Sequence, residues 1–226
     1  MSEFYTNLET NKQIKDNEIL FIGCSNTAGT GHGVYNPDGK PEEILLISKD
    51  SHWPGPHDTV YTHIFSKLLG LIPLVDAHPG KGNYLTEEKV NTYNLKNKKV
   101  IIQFTDVYRL RLNGVNIIPA KPHLFTISHS EVFTDKVLAS MFCEQVKRVV
   151  NLLRSNNCQF LFFHATHRVI LEYKIYDILK QYKEFCPIHK VKYFIDMADD
   201  GYHWGPKSME YIANILLVNW RKLYDE

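Results

Sequence analysis

A serine and an aspartate–histidine pair stand near opposite ends of this chain. Ser25 follows a short apolar run that stops at Gly23, whereas Asp200 and His203 lie three positions apart in a late polar stretch. A serine hydroxyl becomes a nucleophile when an imidazole takes its proton, and a carboxylate that holds the other ring nitrogen stabilises the imidazolium. These residues predict acyl transfer, with Ser25 as nucleophile, His203 as base and Asp200 as the group that orients the ring.

Acyl transfer also requires hydrogen-bond donors for the oxyanion. Two backbone N–H groups are candidates: that of Ser25 itself, and that of Gly80 in the stretch Pro79 to Gly82. A glycine suits this role because it lets the backbone come close to a ligand.

Five short apolar runs predict buried strands that would carry these residues. Ser25 follows the first run, Gly80 the second, and Asp200 and His203 the last. The carboxyl ends of parallel strands share one edge of a sheet, where ligands bind. We therefore expect the candidate residues to meet at that edge. The predicted strands are 18–22, 72–75, 100–104, 159–163 and 191–195.

Helical patterns alternate with these runs. Apolar residues recur at three- and four-residue steps over 134–155, and a second stripe follows Pro206, which suits the first turn of a helix. Alternating strands and helices imply right-handed crossovers and a three-layer α/β/α sandwich around a five-stranded parallel sheet. Segments 31–55 and 112–129 read as long irregular loops. The other predicted helices are 59–69, 86–95 and 169–182.

Composition narrows the class of protein. With 226 residues, of which 44% are hydrophobic, we expect one domain over 1–226 with its core at about 18–217. A net charge of +1 gives no field that would attract nucleic acid or an anionic membrane. The four cysteines have no metal or redox spacing, and no apolar run approaches the ~20 residues of a membrane span. These features predict a cytoplasmic protein, and they leave its oligomeric state open.

Each candidate residue has a structural alternative. Ser25 could be a helix N-cap, and Asp200 could cap the helix that begins at Pro206. His203 could be a loop histidine bonded to a backbone carbonyl. Cys24 is best interpreted as a small packed residue, since nothing near it in the sequence would lower its pKa.

No cofactor or metal is predicted. His164 and His167 lie at a three-residue step, and Asp106 also follows a strand, but a recognisable set of zinc ligands is missing. Both histidines are better interpreted as residues that line the cleft or bind substrate. The glycine-rich run Gly29 to Gly33 lacks the lysine and serine arrangement of a phosphate loop.

Four blocks of this chain resemble the SGNH hydrolases, also called GDSL-like lipases and esterases. The blocks are Gly23-Cys24-Ser25, the glycine at Gly80, the third block Gln103-Phe104-Thr105-Asp106, and Asp200-Gly201-Tyr202-His203. The last block, followed by Gly-Pro and an amphipathic helix, is the most specific. The resemblance implies a flavodoxin-like fold, a Ser25–His203–Asp200 triad and Gly80 as an oxyanion donor.

Two positions depart from the family pattern. Cys24 replaces the usual aspartate before the serine, which need not disturb the nucleophile. The third block usually reads Gly-x-Asn-Asp, so Thr105 stands where an asparagine would bind the oxyanion. Loss of one such donor typically costs about a hundredfold in rate. The Thr105 hydroxyl is a shorter substitute donor, and Asn83 is another candidate.

The sequence therefore predicts a serine esterase that cleaves a small acyl ester, such as an acetylated carbohydrate, without a cofactor. One alternative is a binding or structural protein that keeps the fold with weakened catalysis. Another is a phosphate- or nucleotide-binding module that uses the glycine-rich first loop.

Overall fold

The computed structural model describes residues 11–29, 59–78, 82–105, 107, 110–112, 115–117, 135–164, 175–188, 195–196 and 204–225. The strands are β1 (Glu18–Gly23), β2 (Ile72–Ala77), β3 (Lys99–Phe104), β4 (Leu110–Leu112), β5 (Val115–Ile117) and β6 (Gln159–His164). The helices are α1 (Ser25–Ala28), α2 (Tyr61–Leu68), α3 (Asn83–Val90), α4 (Asp135–Ser155) and α5 (Pro206–Tyr224).

Strands β2, β1, β3 and β6 form a parallel sheet in that order. Four of the five predicted strands are thereby confirmed. Gly23 is level with Ala77 on one side of the sheet, and Phe104 is level with His164 on the other. The residues that follow β1, β2, β3 and β6 consequently leave the sheet at the same edge.

Helices cover both faces of this sheet, because side chains on successive strand residues point to opposite faces. One face, the α4 face, packs strand residues such as Leu20, Ile102 and Phe162 against α3 and α4. The other, the α5 face, packs Ile19, Ile101 and their neighbours against α2 and α5. The predicted three-layer arrangement is present in the described part of the chain.

The outer edge of β6 is occupied at two positions. The Tyr224 hydroxyl accepts a hydrogen bond from Phe160 N at 2.8 Å and lies 2.9 Å from Phe160 O, to which it donates. Two residues further on, Phe162 N donates to Glu184 O, and Phe162 O accepts a hydrogen bond from Cys186 N. A fifth strand could not also pair with Phe160 or Phe162. Residues 191–194 lie outside the described residues, so the fifth strand stays a prediction.

Two local elements differ from the prediction. Helix α3 begins at Asn83 rather than at 86 and ends at Val90 rather than at 95. The residues after it pair instead with the segment before β1, where Lys12 N donates to Thr92 O and Asn94 N donates to Lys12 O. Strands β4 and β5 form an antiparallel hairpin, and the start of the predicted irregular segment 112–129 belongs to it.

The remaining helices agree closely with their predicted bounds. Helix α4 covers 135–155, α2 covers 61–68, and residues 175–179 are helical within the predicted 169–182. None of the helices in the described ranges is long and apolar enough to cross a membrane.

Replacing Tyr224 with phenylalanine should destabilise the protein. The change leaves the N–H and C=O of buried Phe160 without the hydroxyl that satisfies both, and an unsatisfied buried group costs about 1–3 kcal/mol. Urea denaturation of Tyr224→Phe should show that loss. The exposed Tyr211→Phe serves as control and should stay within about 0.5 kcal/mol of wild type. Equal stability of the two variants would contradict this role for Tyr224.

Candidate active site

Ser25 is the first residue of α1, directly beyond β1. The N-cap position belongs to Cys24, which has extended backbone dihedral angles, so the N-cap interpretation of Ser25 is wrong. Ser25 is only 7% exposed, yet its hydroxyl forms no hydrogen bond with any residue that the structure describes. Its backbone N–H likewise has no acceptor among these residues, because first-turn amides have no partner within the helix.

The turn from β1 into α1 is tight, and Gly23 makes it possible. A Cβ atom at Gly23 would overlap the hydroxyl of Thr27 and lie 3.0 Å from the Gln103 Cβ atom. Thr27 therefore packs directly over Gly23, which brings the first turn of α1 down onto the sheet. The glycine two residues before Ser25 is explained by this close approach. Cys24 is buried beside it, as predicted.

A hydrogen bond joins α1 to the segment that precedes α5. The backbone N–H of Trp204 donates to Asn26 Oδ1 at 3.2 Å, and both residues are buried. Asn26 directly follows Ser25, and Trp204 directly follows His203. His203 and Asp200 lie outside the described residues, but Trp204, the residue directly after His203, contacts the residue directly after Ser25.

The start of α5 is capped from a distance by Asp196. Its carboxylate accepts hydrogen bonds from Lys207 N at 3.0 Å and from Ser208 N at 2.8 Å. Burial alone would raise the pKa of Asp196, but these donors hold it below its ordinary value. The amide groups that Asp200 would bind as a helix cap are therefore already occupied.

Asn83 clamps Thr105 at the end of β3. Thr105 N donates to Asn83 Oδ1 at 2.7 Å, and Asn83 Nδ2 donates back to Thr105 O at 2.9 Å. Both residues are buried. Asn83 thus fixes the backbone of the third block, and its amide group is engaged at both ends. Gly80, the second predicted oxyanion donor, lies outside the described residues.

His164 is a buried residue on the α4 face rather than an open cleft residue. Its Nε2 atom lies 3.1 Å from Thr105 O, to which it donates, and its ring packs against those of Phe142 and Tyr176. Its Nδ1 atom has no hydrogen-bond partner within the described ranges. Burial lowers the pKa of His164 to about 4, against the opposing effect of the Thr105 carbonyl.

The described residues contain no group of three metal-ligating side chains. His167 and Asp106, which could be paired with His164 as ligands, fall outside those residues. His164 itself donates its Nε2 proton to a carbonyl, so that nitrogen is not open to a metal.

The sequence analysis missed a polar cluster at the end of β2. Asp76 accepts hydrogen bonds from His78 Nε2 at 3.0 Å, Lys89 Nζ at 2.9 Å and the Tyr93 hydroxyl at 2.7 Å. Burial opposes ionisation of Asp76, but its three partners hold its pKa well below the ordinary value. An acid and a histidine two positions apart at a strand end were the available signal, because such residues share one face of the strand.

The His78–Asp76 pair does not face Ser25. Asp76 points to the side of the sheet covered by α3, as Leu74 does, because Lys89 and Tyr93 contact it from there. Helix α1 packs toward the other side, where Thr27 meets Tyr61. The cluster therefore anchors α3 to β2.

Comparisons with known proteins identify the fold. No family model and no curated protein matches the chain. Among solved structures, a carbohydrate esterase with "divergent catalytic and non-catalytic binding functions" is similar, with a TM-score of 0.57, 15% identity, and coverage of 92% of this chain and 66% of that one. A carbohydrate esterase family 2 enzyme with a carbohydrate-binding domain from Corynascus thermopiles (Myceliophthora fergusii) has a TM-score of 0.55 and 12% identity, over 96% of this chain and 69% of its own.

A putative lipolytic protein of the G-D-S-L family from Desulfitobacterium hafniense DCB-2 is also similar. Its TM-score is 0.52 and its identity 11%, over 90% of this chain and 99% of its own. The chain thus has the fold of the SGNH hydrolases, as its sequence blocks predicted. At these identities the likeness concerns the fold.

The stability of the protein should fall as the pH drops from about 6.5 to about 4. Across this range His164 stays neutral in the folded state but takes up a proton in the unfolded chain, which favours unfolding. The loss attributable to His164 is on the order of 3 kcal/mol. His164→Gln keeps an N–H donor for the Thr105 carbonyl and does not titrate.

Chemical denaturation of both proteins at several pH values measures this effect. The advantage of wild type over His164→Gln should shrink steadily below pH ~6.5. Parallel pH profiles for the two proteins would rule out a neutral, buried His164.

Proposed function

We propose that this protein is a serine esterase. Ser25 attacks the ester carbonyl, His203 takes the hydroxyl proton and returns it to the leaving alcohol, and Asp200 orients the imidazole. Water then repeats the sequence to release the acid. The reaction uses no cofactor.

The bond between Trp204 N and Asn26 Oδ1 is the observation that carries this proposal. Consecutive Cα atoms lie 3.8 Å apart, so the backbone at position 203 cannot be far from that of Ser25. The link spans 178 positions of the chain, and it supports a position of the predicted base near the predicted nucleophile. The Asp196 carboxylate already binds the first-turn amides of α5, so Asp200 is not needed as the cap of that helix. This leaves Asp200 available for the proposed role of orienting the imidazole.

The surroundings of Ser25 suit a nucleophile. Its hydroxyl has no hydrogen-bond partner among the described residues. Its backbone N–H, in the first turn of α1, also has no acceptor among them, so this group is available to bind an oxyanion. The Gly80 N–H is the proposed second donor. Thr105 fits the proposal less well, because its backbone N–H already donates to Asn83 Oδ1 and its hydroxyl is a shorter donor than an asparagine side chain.

An acetyl ester on a carbohydrate is the substrate class that we favour. Solved structures with this fold include carbohydrate esterases and a carbohydrate acetylesterase family member from Sinorhizobium meliloti. A small acyl group also agrees with the site, since Ser25 is nearly buried and flanked by buried side chains.

One observation favours a second candidate, a binding protein with weakened catalysis. The usual asparagine donor of the third block is absent, and Asn83, its nearest replacement, is used to clamp Thr105. Loss of one donor lowers a rate about a hundredfold or more without abolishing it. The two candidates therefore differ in turnover rather than in fold.

Hydrolysis of a chromogenic acetyl ester should depend on Ser25. Ser25→Ala should reduce kcat by at least about a thousandfold, because the covalent intermediate cannot form. An organophosphonate probe should label wild type stoichiometrically at Ser25, as read by mass spectrometry, and should leave Ser25→Ala unlabelled. Cys24→Ser, one residue away, is the matched control and should still be labelled.

Either of two results would reject the esterase. One is an absence of labelling and of turnover across varied acyl chains, which favours the binding protein. The other is labelling of Ser25→Ala at the wild-type rate. Saturable binding of a nucleotide by such an inactive protein would instead favour the phosphate-binding alternative.

Asn26→Leu should impair catalysis by loosening the attachment of Trp204, the residue directly after the predicted base. It removes the acceptor for Trp204 N at similar volume, and a 1 Å misplacement of a catalytic group can cost about a hundredfold in rate. We expect kcat to fall about ten- to a hundredfold with KM nearly unchanged. Asn26→Asp keeps an acceptor and should retain most activity, and equal kcat values for Asn26→Leu and wild type would show that the bond does not position the base.

A further inference from the structure

A chain of three buried polar side chains lies beneath α1 on the α5 face. The Thr27 hydroxyl is 2.8 Å from the Tyr61 hydroxyl and donates a hydrogen bond to Gln103 Oε1. The three residues come from α1, α2 and β3, and all are buried. Buried polar groups cost free energy unless they are hydrogen-bonded, so this cluster requires an explanation.

The direction of the hydrogen bonds follows from counting protons. A threonine hydroxyl has one proton, and Thr27 donates it to Gln103 Oε1. Tyr61 must then donate its own proton to Thr27 Oγ1. Burial raises the pKa of Tyr61, so its hydroxyl stays protonated and available as the donor. Thr27 is the central link, which both accepts and donates.

Helix α1 depends on such contacts because it is very short. It has four residues, and the described backbone bonds that close it run from Ala28 N to Cys24 O and from Gly29 N to Ser25 O and Asn26 O. A helix of this length is marginal on its own and must be held by its surroundings. Thr27 is its link to both β3 and α2.

Gln103 belongs to the block in which this chain departs from the SGNH pattern. A glycine stands at that position in the usual motif, whereas here a long amide side chain fills the space under α1 and reaches Thr27. Gln103 is 1% exposed, and its Nε2 atom has no hydrogen-bond partner among the residues that the structure describes. An amide kept in a buried site with one end unsatisfied indicates that its other end has a role that offsets this cost.

We propose that Thr27 and Gln103 are positioning residues that hold α1, and with it Ser25, at the height above the sheet where the Ser25 hydroxyl oxygen can attack an ester carbonyl or a phosphonate phosphorus. This inference rests on the proposed esterase function. Neither residue contacts substrate, since both are buried below the helix. The pair acts on the reactivity of Ser25 and not on the affinity for substrate.

The experiment compares the rate of organophosphonate labelling of Ser25, and kcat against KM for an acetyl ester, in a set of matched variants. Thr27→Val removes the hydroxyl at nearly constant volume and should lower both the labelling rate and kcat about tenfold or more, with KM unchanged. Gln103→Met, a second variant, should have the same effect. Thr27→Ser restores the hydroxyl and should restore the rates.

Ser66→Ala is the control for general stability. Its hydroxyl is equally buried, donates to Thr62 O inside α2, and does not reach α1. It should lower the melting temperature without changing the labelling rate. If Thr27→Val and Gln103→Met were labelled as fast as wild type, or if Ser66→Ala slowed labelling as much as they do, the inference would be overturned.

Hydrogen exchange gives a readout that does not depend on activity. The amides of Ala28 and Gly29 should exchange faster in Thr27→Val than in wild type, whereas those of α2 should not change. Unchanged exchange at Ala28 and Gly29 would also overturn the inference. A wild-type protein that is neither labelled nor active would instead reject the esterase itself, and the inference with it.

Discussion

One hydrogen bond holds together two distant parts of the chain at the candidate site: the Trp204 amide donates to the side chain of Asn26. Nothing local in the sequence joins these segments, which are 178 positions apart. Helix α5 brings them together by packing along the α5 face of the sheet, and Asp196 sets where that helix starts. The bond then holds Trp204 beside Asn26, the residue that directly follows Ser25.

The edge of the sheet where the strands end is built from side chains that support one another. Asn83 and His164 both donate hydrogen bonds to the Thr105 carbonyl, and Thr27 links α1 to Gln103 on β3. Each bond is buried, where an unpaired polar group is costly, so the groups favour a single arrangement. The apolar layers above and below hold the strands, and these polar bonds hold their ends.

The sequence predicted the framework well, for physical reasons. Strands buried on both faces read as continuous apolar runs, and a helix that covers a sheet shows an apolar stripe, so β1, β3 and α4 were found within a residue or two. Helix α3 has no such stripe, and its C-terminal end was lost to the pairing of Lys12 with Thr92 and Asn94. That competition is tertiary and leaves no local signal.

One signal was present and was passed over. Asn113-Gly114 stands between Leu112 and Val115, and an Asn-Gly pair between short apolar stretches is a strong hairpin marker.

The candidate site likewise has a part that the sequence predicts and a part that it does not. Chain order and residue type predicted Ser25 and the final block, but the clamp from Asn83, the link through Asn26 and the packing of Thr27 over Gly23 depend on contacts across the fold.

An experimental structure of the phosphonate adduct would show directly whether His203 lies beside Ser25. We expect phosphorus bonded to Ser25 Oγ, an intact bond from Trp204 N to Asn26, and a ring nitrogen of His203 within about 3 Å of the Ser25 oxygen. The role of His203 as the base would be contradicted by an adduct at Ser25 in which the His203 ring is directed away from Ser25 while Trp204 still contacts Asn26.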